Sequence, residues 1–213
     1  MQPNESLSTN VSRAGAEPAR VECCEHKHSQ PDAASPFRAS LPADHVLATL
    51  MDEHQRILGR LNRLEELLRS ANGATEPPGD AQIQEIHEIG GQLIGVEPHH
   101  QREEQVLFPV LIALGIEGPP RMMELEHVEL RRLKHSIRDK SEEMLATHGD
   151  HWRELARDAR ELVSMLRSHI HKEDEILYPM AFEEIAVESW IPMKARCDEI
   201  GYCCQAPASE VGT

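Results

Sequence analysis

Apolar side chains recur at intervals of three and four residues over most of the chain after residue 40, which is the spacing of one face of an α-helix. Segments with glycine, proline or small polar residues interrupt this pattern at residues 72–80, 115–120 and 147–150. Few stretches alternate apolar and polar residues as a β-strand would. The pattern therefore predicts an all-α protein with four long helical regions.

Helices joined in this order by short connections are typical of an antiparallel up-down four-helix bundle. We assign residues 41–182 to the bundle, with Ser40 as a predicted N-cap. Residues 1–40 are predicted to be a flexible tail because they lack a sustained apolar period. Residues 183–213 are predicted to be a C-terminal extension, partly helical and then disordered. Pro98 lies inside the second helix and predicts a kink immediately before His99.

The formal net charge of −15 argues against a nucleic-acid or anionic-membrane surface, because both need clustered Lys and Arg. No apolar run approaches the roughly 20 residues that span a bilayer, so we expect a cytoplasmic protein without membrane contact. Aromatic residues are only 3% of the chain, which leaves the packing to aliphatic side chains.

One short motif occurs twice, as His99-His-Gln-Arg-Glu103-Glu-Gln-Val-Leu-Phe-Pro and as His169-Ile-His-Lys-Glu173-Asp-Glu-Ile-Leu-Tyr-Pro. Each copy follows a Glu-His pair, which places His54 before the first copy and His127 before the second. The spacing from the pair to the motif is similar in both halves. This similarity predicts an internal two-fold repeat of helix hairpins.

A His and a Glu four residues apart share one helix face, so both can reach one metal ion. Imidazole suits iron, and carboxylates can bridge two ions, so this set fits a pair of iron or manganese ions better than a structural zinc, and we expect two non-haem irons. We expect an oxo or hydroxo bridge and open positions for O2, NO or peroxide. The predicted metal ligands are His54, His99, Glu103, His127, His169 and Glu173.

A shift by one residue is the main alternative, because His100 and Glu104 also lie four apart. Aligning the two copies rejects it, since the matching positions are Ile170 and Asp174. We therefore place His100 and His171 at the rim of the site, either beside the ligands or exposed to solvent. Glu53 and Glu126 each precede a predicted ligand. They accept an N–H bond from a bound imidazole, line an access channel or face solvent.

The motif Glu103-Glu-Gln-Val-Leu-Phe-Pro together with Glu126-His127 resembles the hemerythrin-like, His-His-Glu cation-binding family over residues 43 to about 182. The resemblance implies an up-down four-helix bundle with a non-haem di-iron centre. Members carry oxygen, sense oxygen or iron, or respond to nitric oxide, and some are iron–sulfur cluster repair proteins.

One departure from the oxygen-carrying members concerns a fifth histidine, which they place as a His-x-x-x-His pair on the third helix. The positions four residues either side of His127 are Met123 and Arg131 here, so stable reversible oxygen carriage is in doubt. His87 and His135 could supply a fifth ligand, but each lies two to three helical turns from the centre.

Five cysteines lie outside the repeat, and their odd number argues for reduced thiols. They are Cys23, Cys24, Cys197, Cys203 and Cys204. A soft-metal or thiol-redox role and unremarkable tail positions both stay open for them.

Three functions fit these features. The first is a di-iron protein that binds, senses or reacts with O2, NO or peroxide. The second is iron handling without gas chemistry: storage, delivery to an acceptor protein, iron sensing or iron–sulfur cluster repair. The third is an interaction bundle with a vestigial site that contacts a signalling partner. Enzymatic turnover stays open, with ligand binding or sensing favoured.

Overall fold

A computed structural model describes residues 35–70, 78–147 and 151–203 of the chain. The predicted tail up to residue 34, Cys23, Cys24 and everything from Cys204 onward lie outside these ranges. All regular elements within them are helical, which confirms the all-α prediction. None of these helices is long and apolar enough to cross a membrane.

Four long helices form the framework: α2 (Val46–Ser70), α3 (Asp80–Ile94), α6 (Gly118–Thr147) and α7 (Trp152–Lys172). The shorter elements are α1 (Pro36–Ser40), α4 (Glu97–Arg102), the π-helical segment π1 (Glu103–Leu107), α5 (Phe108–Ala113), the π-helical segment π2 (Glu173–Leu177), α8 (Tyr178–Glu184), a 3-10 turn (Val187–Ser189) and α9 (Trp190–Ile200). Among the long helices, α2 and α6 each pack against both α3 and α7, which closes a ring.

Buried apolar side chains form two clusters, one towards each end of this ring. On α2, Met51 belongs to one cluster and Ile57 to the other, and His54 lies between them. On α6, His127 likewise lies between Met123 and Leu130. The predicted ligands therefore occupy a polar layer between two apolar clusters, where a charge that lacks a partner is costly.

The second helical region is not continuous. Gly95 and Val96 form a turn after α3, and Pro98 lies in the first turn of α4, where its missing N–H costs little. The structure thus has a break three residues upstream of the predicted kink. Ser40 also differs from the prediction, because it ends α1 while α2 starts at Val46.

Both motif copies contain a π-helical turn that begins at the predicted glutamate ligand. The N–H of Phe108 donates to the carbonyl of Glu103, and the N–H of Tyr178 donates to that of Glu173. Each bond spans five residues instead of four, which widens the helix locally. Single π turns of this kind are frequent at functional sites.

Candidate metal centre

The structure brings the predicted ligands together from α2, α4, π1, α6, α7 and π2. None of them is more than 1% exposed: His54, His99, Glu103, His127, His169 and Glu173. The fold therefore places imidazoles and carboxylates from both halves of the chain in one buried layer.

The imidazoles are arranged as two pairs. Nε2 of His54 lies 3.0 Å from Nε2 of His99, and Nε2 of His127 lies 3.0 Å from Nε2 of His169. With metal–nitrogen bonds of about 2.1 Å, two nitrogens bound at right angles to one ion stand about 3.0 Å apart. Each pair therefore has the separation of two adjacent ligands on one metal ion.

The two buried carboxylates lie between the imidazole pairs. Glu173 reaches both pairs, with Oε2 3.2 Å from Nε2 of His54 and Oε1 3.0 Å from Nε2 of His169. Oε2 of Glu103 lies 3.6 Å from His99 and 3.5 Å from His127. Oε2 of Glu103 and both carboxylate oxygens of Glu173 lack a hydrogen-bond donor. Unpaired buried oxygens at these positions fit a bridge between two cations.

Burial and neighbouring charges shift the pKa values of two of these groups, Glu103 and His54. Burial and the neighbouring Glu173 carboxylate raise the pKa of Glu103 well above its usual range. Burial alone would lower the pKa of His54, but Asp174 and Glu173 raise it to about 10. A metal ion bound here would compete with the protons that these shifts favour.

Every paired imidazole has a carboxylate oxygen 2.7 to 2.8 Å from its Nδ1 atom: His54 with Asp174, His99 with Glu53, His127 with Glu104, and His169 with Glu126. A carboxylate only accepts, so each Nδ1 carries the proton and donates it. Nε2 is then left with a lone pair for a metal, which is the usual arrangement of metal-bound histidine.

The acceptors Asp174 and Glu104 were not predicted from the sequence. Each directly follows a predicted glutamate ligand, and each holds a histidine of the opposite half of the chain. The acidic residue at this position in both motif copies was the available signal. For Glu53 and Glu126 the structure decides among these alternatives, because both accept the N–H of an imidazole.

Basic side chains complete the outer layer in a pseudo-symmetric way. Arg102 donates to Glu53, and Lys172, the matching residue of the second copy, donates to Glu126. Glu53 also accepts the backbone N–H of Cys203 at 3.1 Å, so the segment after α9 closes over this side. Glu126 accepts no backbone N–H of this kind within the described part of the chain, and its side chain is 20% exposed.

Two differences between the motif copies break the symmetry. Tyr178 donates its hydroxyl to Oε1 of Glu103 at 2.7 Å, whereas its counterpart Phe108 has no hydroxyl. His100 is only 2% exposed, so it lies beside the predicted ligands and does not face solvent at the rim. Its ring stacks on His127 with centroids 4.0 Å apart, while the matching Ile170 is apolar.

The other histidines that the structure describes do not join the cluster. His171 and His135 are exposed, as a solvent-facing position requires, and Nδ1 of His87 lies 3.2 Å from the hydroxyl of Ser141. The described cysteines, Cys197 and Cys203, are both buried. A ligand atom of Cys203 lies within 4.8 Å of ligand atoms of Glu53 and His99. Because Arg102 already neutralises Glu53, this trio is poorly suited to a separate cation.

Two curated relatives are 27% identical to the chain. A probable iron-sulfur cluster repair protein of Haemophilus influenzae aligns over 147 residues, which cover 66% of this chain and 64% of the relative. The iron-sulfur cluster repair protein YtfE of Yersinia pseudotuberculosis aligns over 143 residues, which cover 64% and 62% respectively. The chain thus spans less than two thirds of the length of these relatives.

A family model named the hemerythrin HHE cation binding domain matches residues 45–181. This range contains both motif copies and both Glu-His pairs, and it agrees with the resemblance expected from the sequence. The chain therefore belongs to the hemerythrin HHE cation binding domain family.

Proposed function

We propose that this protein holds a pair of non-haem iron ions and acts in iron handling, in the form of iron–sulfur cluster repair. The names of the relatives support the repair role. The observation that carries the iron pair is the two sets of facing Nε2 lone pairs, each 3.0 Å apart, with unpaired carboxylate oxygens between them. Lone pairs at this distance repel each other unless a proton or a metal ion lies between them, and the two unpaired carboxylates beside them favour the metal ion.

The proposed ligand set is His54 and His99 for one ion and His127 and His169 for the other, with Glu103 and Glu173 as bridges. A set of imidazoles and carboxylates with two bridging positions suits a pair of iron or manganese ions better than a structural zinc, and the names of the relatives favour iron. An iron pair supplies electron transfer, ligand binding or releasable metal. The chain itself holds each imidazole by a carboxylate on Nδ1 and excludes water with an apolar cluster on each side.

The ring of α2, α3, α6 and α7 supports an up-down four-helix bundle, and the matched hydrogen bonds of the two halves support the internal repeat. In this arrangement the residues that would hold the ions lie between the two apolar clusters. An iron-acceptor or signalling protein is the proposed macromolecular partner.

Binding of O2, NO or peroxide at the same iron pair is the second candidate function. The observation that favours it is His100, a buried imidazole beside His127 whose Nδ1 has no hydrogen-bond partner. A polar group held free beside a metal centre is suited to contact a ligand bound there.

The test compares Glu173→Gln with Glu175→Gln, the same change at an exposed position of the same motif. We expect about two iron ions per chain in the wild type and in the control, and about one in Glu173→Gln. Helical content should be equal in all three. Wild-type protein that does not bind Fe(II) under anaerobic conditions would contradict the proposal.

A second measurement separates the two candidate functions. The di-ferrous protein is mixed with O2 or NO in a stopped-flow instrument, and separately with an apo iron–sulfur protein under argon. Transfer of iron to the apo protein without a spectral response to either gas favours repair. A rapid response to a gas without iron transfer favours the second candidate.

A further inference from the structure

The two halves of the repeat hold their proposed ions in surroundings that differ in access to solvent. We name the ion of His54 and His99 the first ion, and the ion of His127 and His169 the second ion. All four imidazoles are at most 1% exposed, so the difference lies in the groups around them.

The carboxylates that accept from these imidazoles are more exposed around the second ion. Around the first ion, the side chains of Glu53 and Asp174 are 2% and 13% exposed. Around the second ion, those of Glu104 and Glu126 are 23% and 20% exposed. Water competes for an exposed carboxylate, so its hydrogen bond to the imidazole opens more easily than a buried one.

Residues 190–203, which we name the C-terminal cover, bury the outer layer of the first ion. Helix α9 packs against α2 and α4, which carry Glu53 and His99. The backbone N–H of Cys203 donates to Glu53 at 3.1 Å, and the guanidinium carbon of Arg102 lies 4.6 Å from the ring centroid of Tyr202. The C-terminal cover follows the part of the chain that the family model matches, so it is an addition to the family domain.

The outer layer of the second ion borders a cavity of about 430 Å³. Glu126 and Lys172 line this cavity together with Glu161, and the other residues that line it are uncharged. Lys172 takes the place of Arg102, and its side chain is 32% exposed where that of Arg102 is 1% exposed. Two carboxylates and one ammonium leave the cavity with a negative charge, which attracts a cation.

A cavity of about 270 Å³ also reaches Glu53, but the C-terminal cover forms part of its wall. Its charged side chains are two carboxylates, Asp44 and Glu53, and two cations, Arg56 and Lys194. These charges cancel. The cavity therefore offers a cation less attraction than the one beside Glu126.

We propose that the second ion is the exchangeable one, which enters and leaves through the cavity at Glu126, while the C-terminal cover retains the first ion. The inference rests on the proposed iron pair and deepens its role in iron handling. A protein built in this way gives up one ion and keeps the other. The retained ion stays beside the bridging carboxylates Glu103 and Glu173, so the emptied position can be loaded again.

Release of Fe(II) to a ferrous chelator under argon tests the inference. The absorbance of the chelate follows the loss of iron from the di-ferrous protein with time. The wild type should release its iron in two phases of one ion each, with rates about tenfold or more apart. Each variant is first compared with the wild type in helical content and in iron per chain.

Two substitutions at Cys203 assign the slow phase. Cys203→Pro removes the N–H that Glu53 accepts, so it should speed the slow phase by about tenfold and leave the fast phase unchanged. Cys203→Ala keeps this N–H and should release iron as the wild type does. Tyr202→Leu removes the ring from Arg102 without altering the backbone, and should also speed the slow phase alone.

Two substitutions at Lys172 assign the fast phase. Lys172→Met removes the ammonium that holds Glu126, so it should speed the fast phase and leave the slow phase unchanged. Lys172→Arg keeps a cation at this position and should release iron at close to the wild-type rates.

Three outcomes overturn the inference. Loss of both ions of the wild type in one phase shows that neither ion is retained. Equal acceleration of both phases by Cys203→Pro and by Tyr202→Leu shows a general loosening of the bundle instead of a cover on one ion. Acceleration of the fast phase alone by these variants assigns the two ions in the reverse order. Wild-type protein that binds no Fe(II) contradicts the proposed function itself, and metal analysis shows this before chelator is added.

Discussion

Nδ1 of His54 lies 2.8 Å from Oδ1 of Asp174, a residue 120 positions later in the chain. The reciprocal pair, His127 and Glu104, has a separation of 2.7 Å. Each half of the repeat therefore orients a histidine of the other half. The positions of these two imidazoles therefore depend on how the two halves of the chain pack together.

Replacing Asp174 by Ala should weaken iron binding without removing a proposed ligand. The free Nδ1 of His54 loses its acceptor, so the ring can rotate and its Nε2 becomes a weaker donor. Loss of such an outer carboxylate typically costs about 10- to 100-fold in metal affinity. Competition with a chelator of known affinity measures the change. Glu175→Ala, an exposed neighbour, should behave as the wild type, and equal affinities in both variants would contradict this role for Asp174.

Replacing Tyr178 by Phe makes the second motif copy match Phe108 of the first. Glu103 then loses a hydrogen bond of 2.7 Å, so its carboxylate binds the ions with a different charge distribution. We expect retention of both irons, with shifted Mössbauer and charge-transfer spectra. Tyr202→Phe is the control, because Tyr202 donates to the exposed Asp198. Identical spectra for the wild type and Tyr178→Phe would contradict this role of the Tyr178 hydroxyl.

Gly201 has a φ of +93° and a ψ of −178°, a conformation that side chains disfavour. It forms the turn that brings Cys203 to Glu53. Gly201→Ala should lower the free energy of unfolding by about 1 to 2 kcal/mol through backbone strain, since no atom would clash with the new methyl group. Gly59→Ala, inside α2 with open space around it, should instead raise it by about 0.5 to 1 kcal/mol. Urea titration of both variants checks these opposite signs.

Asp158 gives the stability of the bundle a defined pH dependence. Burial raises the pKa of its carboxyl group, but hydrogen bonds from Lys140 and Ser136 outweigh this effect and hold the pKa at about 2. A pKa below the unfolded value means that the ionised form stabilises the fold. This contribution is complete above about pH 4 and is lost as the pH falls towards 2.

Asp158→Asn should therefore lower the free energy of unfolding by about 2 kcal/mol at pH 7, and the difference from the wild type should shrink at pH 3. Urea titrations at pH 7 and pH 3 measure this difference. They use metal-free protein, so that iron release does not contribute. Asp139→Asn, at an exposed position of α6, should show little effect at either pH. A difference that is equal at pH 7 and pH 3 would show that another group carries the dependence.

The apolar period predicted the helices well because it reports which face of each segment is buried, a local property of the chain. The duplicated motif likewise predicted one buried cluster, since His99 with Glu103 and His169 with Glu173 each share a helix face. That these side chains bind iron stays a prediction. The sequence predicted neither the turn at Gly95 nor the two π-helical turns, because both depend on how neighbouring helical turns pack.

By itself, the sequence determined the helical class, the family and the set of residues that meet at the centre, all of which follow from short repeating patterns. Only the tertiary structure decided which carboxylate holds which imidazole, because Asp174 and Glu104 act across the two halves. It also placed His100 in the interior, where its ring stacks on that of His127. These relationships depend on contacts between residues far apart in the chain, and no local pattern records how the helices pack against one another.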